Sequence, residues 1–214
     1  MRILIACEFS GVVSHAFRKR GHEVTSCDLL PLSPKLKHSP TPEEFKEMYM
    51  NHIGGDVTNI LTQSWDMMIA FPPCTYLCAS GMHWTYRGLR DPELTEKAVK
   101  FVMSLWTSKI PKICVENPVG ILSTRIGKPD QIIQPYWFGH DASKSTCLWL
   151  KNLPPLKGTA YIPPRIEEGK NRWGNQTKSG CDRTPPSKDR GLKRSVTYAG
   201  IAEAMAEQWG GDNK

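Results

Sequence analysis

The stretch Arg2-Ile3-Leu4-Ile5-Ala6-Cys7, then Glu8-Phe9-Ser10-Gly11, then Val12 to Gly21 and Glu23-Val24-Thr25-Ser26-Cys27-Asp28, decides the fold. The first run is short and apolar and ends at a turn, so it reads as a buried strand. Glu8 to Gly11 reads as a tight turn. Val12 to Arg20 reads as a helix, with Gly21 as its stop. Glu23 to Cys27 is a second strand that delivers Asp28 at its end. Strand, turn, helix and strand in this order predict an α/β protein built on a doubly wound sheet.

Further strands are expected to start near Ile53, Asp66, Lys112, Gln131 and Thr146. A helix near 92–108 carries Leu94, Ala98, Phe101, Val102 and Leu105 at helical spacing and should pack on one face of the sheet. A final helix, about Ile201 to Trp209, covers another part, with Met103, Trp106, Met205 and Trp209 as core filling. Residues 31–51 hold four prolines and read as a surface excursion with a short helix near 43–50. Gly11 and Asp28 lie 17 positions apart, near the ~20 that separate a nucleotide-binding turn from an acid gripping ribose hydroxyls. A dinucleotide fold would carry Gly-x-Gly-x-x-Gly to cradle a pyrophosphate. Val12, Val13 and Ser14 follow Gly11 instead, which favours an adenosine cofactor without a pyrophosphate.

Two strand ends carry the chemistry. The apolar run Asp66-Met67-Met68-Ile69-Ala70 leads into Phe71-Pro72-Pro73-Cys74, and Lys112-Ile113-Cys114-Val115 leads into Glu116-Asn117-Pro118. Open α/β sheets bind ligands outside the carboxyl ends of their strands. Two prolines forbid further sheet pairing and stiffen the turn that presents Cys74. A nucleophile and an acid at two strand ends suggest covalent catalysis with proton assistance. The alternatives are a cysteine that is only a small buried hydrophobe and a Glu-Asn-Pro that is only a strand exit.

In combination these motifs resemble the DNA cytosine (carbon 5) methyltransferases, most closely their small phage and prophage members, over most of the chain. Phe9-Ser10-Gly11 resembles the cofactor-binding turn. Asp28, followed by Leu29, stands where the family has its ribose-binding acid, and Gly55-Asp56-Val57 matches the segment that reads adenine. Pro72-Pro73-Cys74 matches the nucleophile motif and Glu116-Asn117 the acid motif that grips the target base. Tyr198 to Ala206 resembles the helix that closes the cofactor pocket. These matches stand in the family's order. The resemblance implies a class I S-adenosylmethionine-dependent methyltransferase (Rossmann-like) sheet, S-adenosyl-L-methionine as cofactor and double-stranded DNA as partner. It also implies a single domain over 1–214 acting as a monomer in the cytoplasm of a bacterial host. Departures are local. Cys7 replaces an acid two positions before Phe9, with Glu8 beside it, and Thr75 and Cys78 replace a Gln and a Ser. Lys144 and Thr146 stand where paired arginines are usual.

That chemistry explains the residue types. Carbon 5 of cytosine becomes nucleophilic once a thiolate adds to carbon 6. An acid at ring nitrogen 3, here Glu116, must be at least partly protonated, which burial favours. A stacked duplex hides the base, so the cytosine must swing out.

Charge and composition fit a nucleic-acid partner. Net charge is +7 over 214 residues. Residues 165–194 hold nine Lys or Arg against four acids, a net +5, and also Trp173, Asn175 and Gln176. Basic side chains hold phosphates and amides read base edges. Arg172, Lys178 and Arg183 are therefore expected on phosphates, with Asn175 and Gln176 on bases. The resemblance makes 151–190 a reduced target-recognition segment and 75–91 a loop closing over DNA, in which His83 or Trp84 could fill the hole left by the base. Seven scattered cysteines without Cys-x-x-Cys argue against zinc and suit a reducing compartment. Ile3 to Ala6 is too short for a signal-peptide core, and no segment reaches membrane-spanning length. Two other readings remain: the same chemistry on RNA or free deoxycytidine nucleotide, and a non-catalytic DNA-binding relative.

Overall fold

The apolar runs pair into one seven-stranded sheet. The computed structural model describes residues 1–36 and 39–211, so two residues of the 31–51 excursion lie outside the described residues. In chain order the elements are β1 (Arg2–Ala6), α1 (Val12–Arg18), β2 (Glu23–Asp28), α2 (Pro42–Met50), β3 (His52–Gly54) and β4 (Met67–Ala70). Next come α3 (Ala79–Tyr86), α4 (Pro92–Trp106), β5 (Lys112–Pro118), α5 (Leu122–Arg125), β6 (Gln131–Ile133) and β7 (Thr146–Lys151). The chain ends with β8 (Arg165–Glu167), β9 (Lys170–Arg172), α6 (Arg190–Ser195) and α7 (Ala199–Gly210).

The sheet order is β3-β2-β1-β4-β5-β7-β6, with β8 and β9 forming a separate hairpin. β1 is parallel to β2 and β4, β2 to β3, and β4 to β5, whereas β7 is antiparallel to both β5 and β6. This is the doubly wound, Rossmann-like arrangement that the sequence leads one to expect. Alternation along the strands explains the two faces. Ile3, Ile5, Met67 and Ile69 point to one side, where Val13 and Phe17 of α1 meet Ala204, Met205 and Trp209 of α7. Leu4, Ala6, Met68 and Ala70 point to the other, under Val99, Val102 and Leu105 of α4. Strands covered on both faces read as continuous apolar runs, which is why they stand out in the sequence.

Three local features set the shape of the carboxyl edge. Gly11 adopts φ +69°, and a Cβ there would come within 2.1 Å of Met48 Cε, so the first turn needs glycine and α2 packs directly on it. The Ser33 and Lys35 amides donate to the carbonyls of Phe9 (2.8 Å) and Ser10 (2.9 Å), tying the start of the 31–51 excursion to the same turn. α2 begins with a reciprocal cap between Thr41 and Glu44 and a proline in its first turn. Residues 134–145 connect the antiparallel neighbours β6 and β7. The later basic segment docks on this connection: Trp173 stacks on Tyr136 with ring centres 4.1 Å apart, and the Gly174 amide donates to Asp141 Oδ1 at 2.7 Å.

Candidate active site

Register places the two chemical groups side by side. Ala70 of β4 pairs with Val115 of β5, so Cys74 lies a short turn past one strand end and Glu116 follows its neighbour's paired region. Asn117 joins the two ends. Its side chain is 1% exposed, and Nδ2 donates to the Pro72 carbonyl at 2.8 Å. A cavity of about 760 Å³ opens over this edge. It is lined by Cys74 and Glu116 together with Phe9, Ser10, Asp28, Leu29, Asp56, Val57, Pro72, Asn117 and Lys144.

The cofactor-type residues occupy one end. Asp28 ends β2, and its carboxylate accepts from the Leu30 amide at 2.8 Å. Burial raises its pKa, opposed by the Leu30 amide, the His52 charge and the Leu29 amide. Asp56 Oδ1 accepts from the Thr58 amide (2.9 Å) and hydroxyl (2.8 Å), capping a single 3-10 turn that begins at Val57. Gly11 is not a cavity wall; it supports the turn from behind, against Met48. The start of α1 is closed by the protein itself. Buried Glu8 accepts from the Val13 amide at 2.6 Å and the Ser14 amide at 3.1 Å. A dinucleotide fold would offer those N–H groups to a pyrophosphate, so this helix start is already filled by a carboxylate. Glu8 lines the cavity, and the signal that could have identified it is its place directly before Phe9-Ser10.

A ligand with hydrogen-bond donors fits the remaining surface. Asn117 Oδ1 is buried and has no partner among the described residues, and Asn117 forms part of the cavity wall. Carboxylates at one end, apolar walls from Phe9, Leu29, Val57 and Phe71, and one orphaned acceptor suit an adenosine-type molecule. Among the described residues, no group of three or more His, Cys, Asp or Glu could hold a metal ion.

The basic segment contributes differently from the sequence expectation. Asn175 Oδ1 accepts from the Ser143 amide (2.9 Å) and its Nδ2 donates to the Ser143 carbonyl (3.0 Å). Gln176 Oε1 accepts from the Trp173 amide (3.1 Å). Arg172 donates to the carbonyls of Lys178 and Asn171, each at 2.8 Å. These three side chains brace the segment, while Lys178 and Arg183 are exposed. None of the five lines the cavity. Gly191, Leu192, Arg194 and Ser195 of α6 line it instead, followed by Thr197. Lys144 Nζ donates to the Arg194 carbonyl at 2.9 Å, and Asp182 pairs with Arg194 (3.6 Å) and Arg190 (3.9 Å). The end of the basic segment is thereby strapped across the cavity mouth. Polar loop residues give no sequence signal that separates an internal brace from an outward reader. His83 and Trp84 lie on α3 with their rings edge to face, and neither lines the cavity.

No family model and no curated protein matches the chain in sequence. Similar solved structures include a candidate DNA modification methyltransferase encoded within an Escherichia coli prophage, at 12% identity and TM-score 0.47, covering 78% of this chain and 53% of that one. Another is the Dnmt2 methyltransferase of S. pombe, at 12% identity and TM-score 0.37, covering 72% and 50%. A third is the Entamoeba histolytica methyltransferase EhMeth, at 12% identity and TM-score 0.44, covering 76% and 58%. The chain spans about half the length of these structures.

Burial pushes the Glu116 carboxyl above its ordinary value, with the Lys144 charge opposing. The folded state therefore holds this proton more tightly than the unfolded chain. The associated stability is present below the ordinary value and is lost as pH rises through the raised one. Glu116→Gln, which cannot ionise, should gain melting temperature relative to wild type as pH is raised from about 4 to about 8. Thermal melts across that range check this; a gap that shrinks with pH would mean that Lys144 outweighs burial.

Proposed function

We propose that this chain transfers a methyl group from S-adenosyl-L-methionine to carbon 5 of cytosine in double-stranded DNA, through a covalent Cys74 adduct on a flipped-out base. The observation that carries the reading is the meeting of a proline-fixed thiol and a buried acid at adjacent strand ends, in one cavity with Asp28 and Asp56. The cavity volume lies within the ~300–1,000 Å³ usual for ligand sites. The bound cofactor supplies an electrophilic sulfonium methyl. Asp28 accepts hydrogen bonds from the ribose diol, Asp56 and Val57 meet the adenine, and Phe9, Ser10, Leu29 and Pro72 form the walls.

The protein's own groups do the rest. Cys74, as thiolate, forms a bond to carbon 6 of the base, and the electrons of the 5,6 double bond shift through carbon 4 to nitrogen 3. Glu116 donates its proton to nitrogen 3 and prevents negative charge from building there. After methyl transfer the carbon 5 proton passes to water, and the Cys74–carbon 6 bond breaks to restore the 5,6 double bond. Asn117 holds the Cys74 turn against Glu116, and Lys144 brings a positive charge to the same corner. The reaction needs an extruded base, and the strapped basic segment stands at the mouth through which the base would enter. We assign 1–214 to one catalytic domain, with 151–190 as its reduced target-recognition segment, and place its action in a bacterial host cytoplasm on behalf of a phage or prophage.

Labelled S-adenosyl-L-methionine with duplex DNA, transfer RNA or deoxycytidine monophosphate tests the substrate. Label should enter DNA, and label entering only RNA or the free nucleotide would replace DNA as the substrate. Cys74→Ala should abolish transfer while leaving cofactor binding nearly intact. DNA containing 5-fluorocytosine should yield a gel-stable complex with wild type, because fluorine cannot leave as a proton does. Methylation without any such complex would rule out the thiol adduct.

Hydrogen bonds to a charged group are worth ~1.5–3 kcal/mol. Asp28→Ala should therefore weaken cofactor binding roughly 10- to 150-fold. Calorimetry on the folded variant measures this, and unchanged affinity would remove Asp28 from the ribose site.

DNA affinity should fall with salt, by a slope of about 0.9 for each phosphate neutralised. Replacing exposed Lys178, Arg183 and Lys188 by Ala should flatten that slope by up to about 2.7. A slope left unchanged would move phosphate contact elsewhere, foremost to α6.

A further inference from the structure

The β8–β9 hairpin stands apart from the main sheet, and its two faces differ. Across the hairpin Arg165 pairs with Arg172, Ile166 with Asn171 and Glu167 with Lys170. Side chains alternate along a strand, so Ile166 and Asn171 share one face, and Arg165, Glu167 and Arg172 lie on the other. That second face is covered by the turn that follows. Arg165 donates to the Gln176 carbonyl and to Glu167 Oε1, each at 2.7 Å, and Arg172 donates to the Lys178 carbonyl at 2.8 Å. The first face is open: Ile166 is 66% exposed, and Asn171 is exposed beside it. Asn175 and Gln176 spend their amides on the protein, whereas the Asn171 side chain faces solvent.

The hairpin is rooted beside the cavity. Trp173, directly after β9, stacks on Tyr136, and Asn175 clasps Ser143, the neighbour of the cavity-lining Lys144. The Arg183 amide donates to the Asn175 carbonyl at 2.8 Å, next to Asp182, which pairs with Arg194 at the cavity mouth. Glu168 (φ +52°) and Gly169 (φ +72°) close the tip, as a tight two-residue hairpin turn requires. Exposed Lys170, Lys178 and Arg183 surround the ribbon with positive charge.

We propose that the β8–β9 ribbon enters the major groove of duplex DNA beside the target cytosine, and that Asn171 and Ile166 read an A·T pair there. The inference rests on the duplex DNA substrate proposed above and names its reading element. Three residues per strand rise ~10 Å, enough for a groove ~8.5 Å deep and ~12 Å wide that admits a two-stranded ribbon. The Asn171 amide suits adenine, donating to N7 and accepting from the N6 amine, and Ile166 suits the thymine methyl. As directly opposed residues their Cβ atoms lie ~5 Å apart, close enough to meet both edges of one pair. Glu168 is repelled by phosphates, which favours a place for the tip at the groove floor, where base amines are present. The major groove of an RNA helix is too deep and narrow for side chains to read, so the same ribbon argues for DNA.

Selection of bound duplexes from a random DNA pool, read by sequencing and without any methyl transfer, tests the ribbon. Wild type should enrich an A·T pair at a fixed place in its site. Asn171→Ala should lose that preference by roughly 5- to 150-fold with the salt slope unchanged, because no phosphate contact is removed. Replacing the thymine of that pair by uracil, which lacks the methyl, should weaken wild-type binding about fourfold and leave Ile166→Ala unaffected. Both side chains are exposed, so the variants should melt with wild type. An enriched site identical in wild type and both variants, or a uracil penalty of equal size in wild type and Ile166→Ala, would overturn the proposal even if the protein methylates DNA. Ribbon-dependent selection by a protein that methylates nothing would refute the proposed reaction and leave the reading element standing.

Discussion

The bond from Asn117 to the Pro72 carbonyl is the constraint on which the site depends. Pro72 and Pro73 have no N–H and cannot continue the β4 ladder, so the chain leaves the sheet with a carbonyl that needs a donor from elsewhere. Asn117, at the end of the neighbouring strand and almost fully buried, supplies it at 2.8 Å. Leaving a buried polar group unmatched costs roughly 1–3 kcal/mol, so the bond favours one relative placement of the two strand ends. Cys74 and Glu116 are carried on the segments it joins. Rigid support of this kind fixes the placement of a thiol and a carboxyl before any ligand arrives.

Topology explains why the basic segment must be as long as it is. β7 runs opposite to β5, with Thr146 opposite Pro118 and Lys151 opposite Ile113. Its beginning therefore lies at the cavity edge, where Lys144 reaches the corner of Glu116. Its end lies at the far edge. The chain must then travel back before α6 can reach the cavity mouth, and residues 158–176 make that return along the 134–145 connection. The Ile162 amide donates to the Tyr136 carbonyl at 2.8 Å, Trp173 stacks on Tyr136, and Asn175 clasps Ser143. Much of the segment's polar and aromatic content is used to hold this path.

These facts mark what could be read from residues alone. The central strands β1, β4 and β5 were legible because both of their faces are covered, which makes Ile3 to Ala6, Met67 to Ala70 and Ile113 to Val115 continuous apolar runs. The places of Asp28, Cys74 and Glu116 were legible because strand ends follow from strand positions. Along α4 the period was visible, yet Val99 rather than Phe101 lies in the buried stripe, since a helical period fixes a face only to within a residue. The uses of Asn175, Gln176 and Arg172 were not legible. An amide or guanidinium in a loop can bond its own backbone or reach outward, and only the fold decides which. The same holds for α6, whose residues read as one more basic stretch until the strap by Lys144 and Asp182 brings them over the cavity.

Glu116 shows how position in the fold sets the state of an acid. It lies near the end of a strand amid buried neighbours, and burial outweighs the opposing Lys144 charge, so its protonated form is favoured. A carboxyl held protonated can donate where an exposed carboxylate could only accept. The double proline and Asn117 set where Cys74 stands beside it, so burial on one strand and a turn on the next together define the corner.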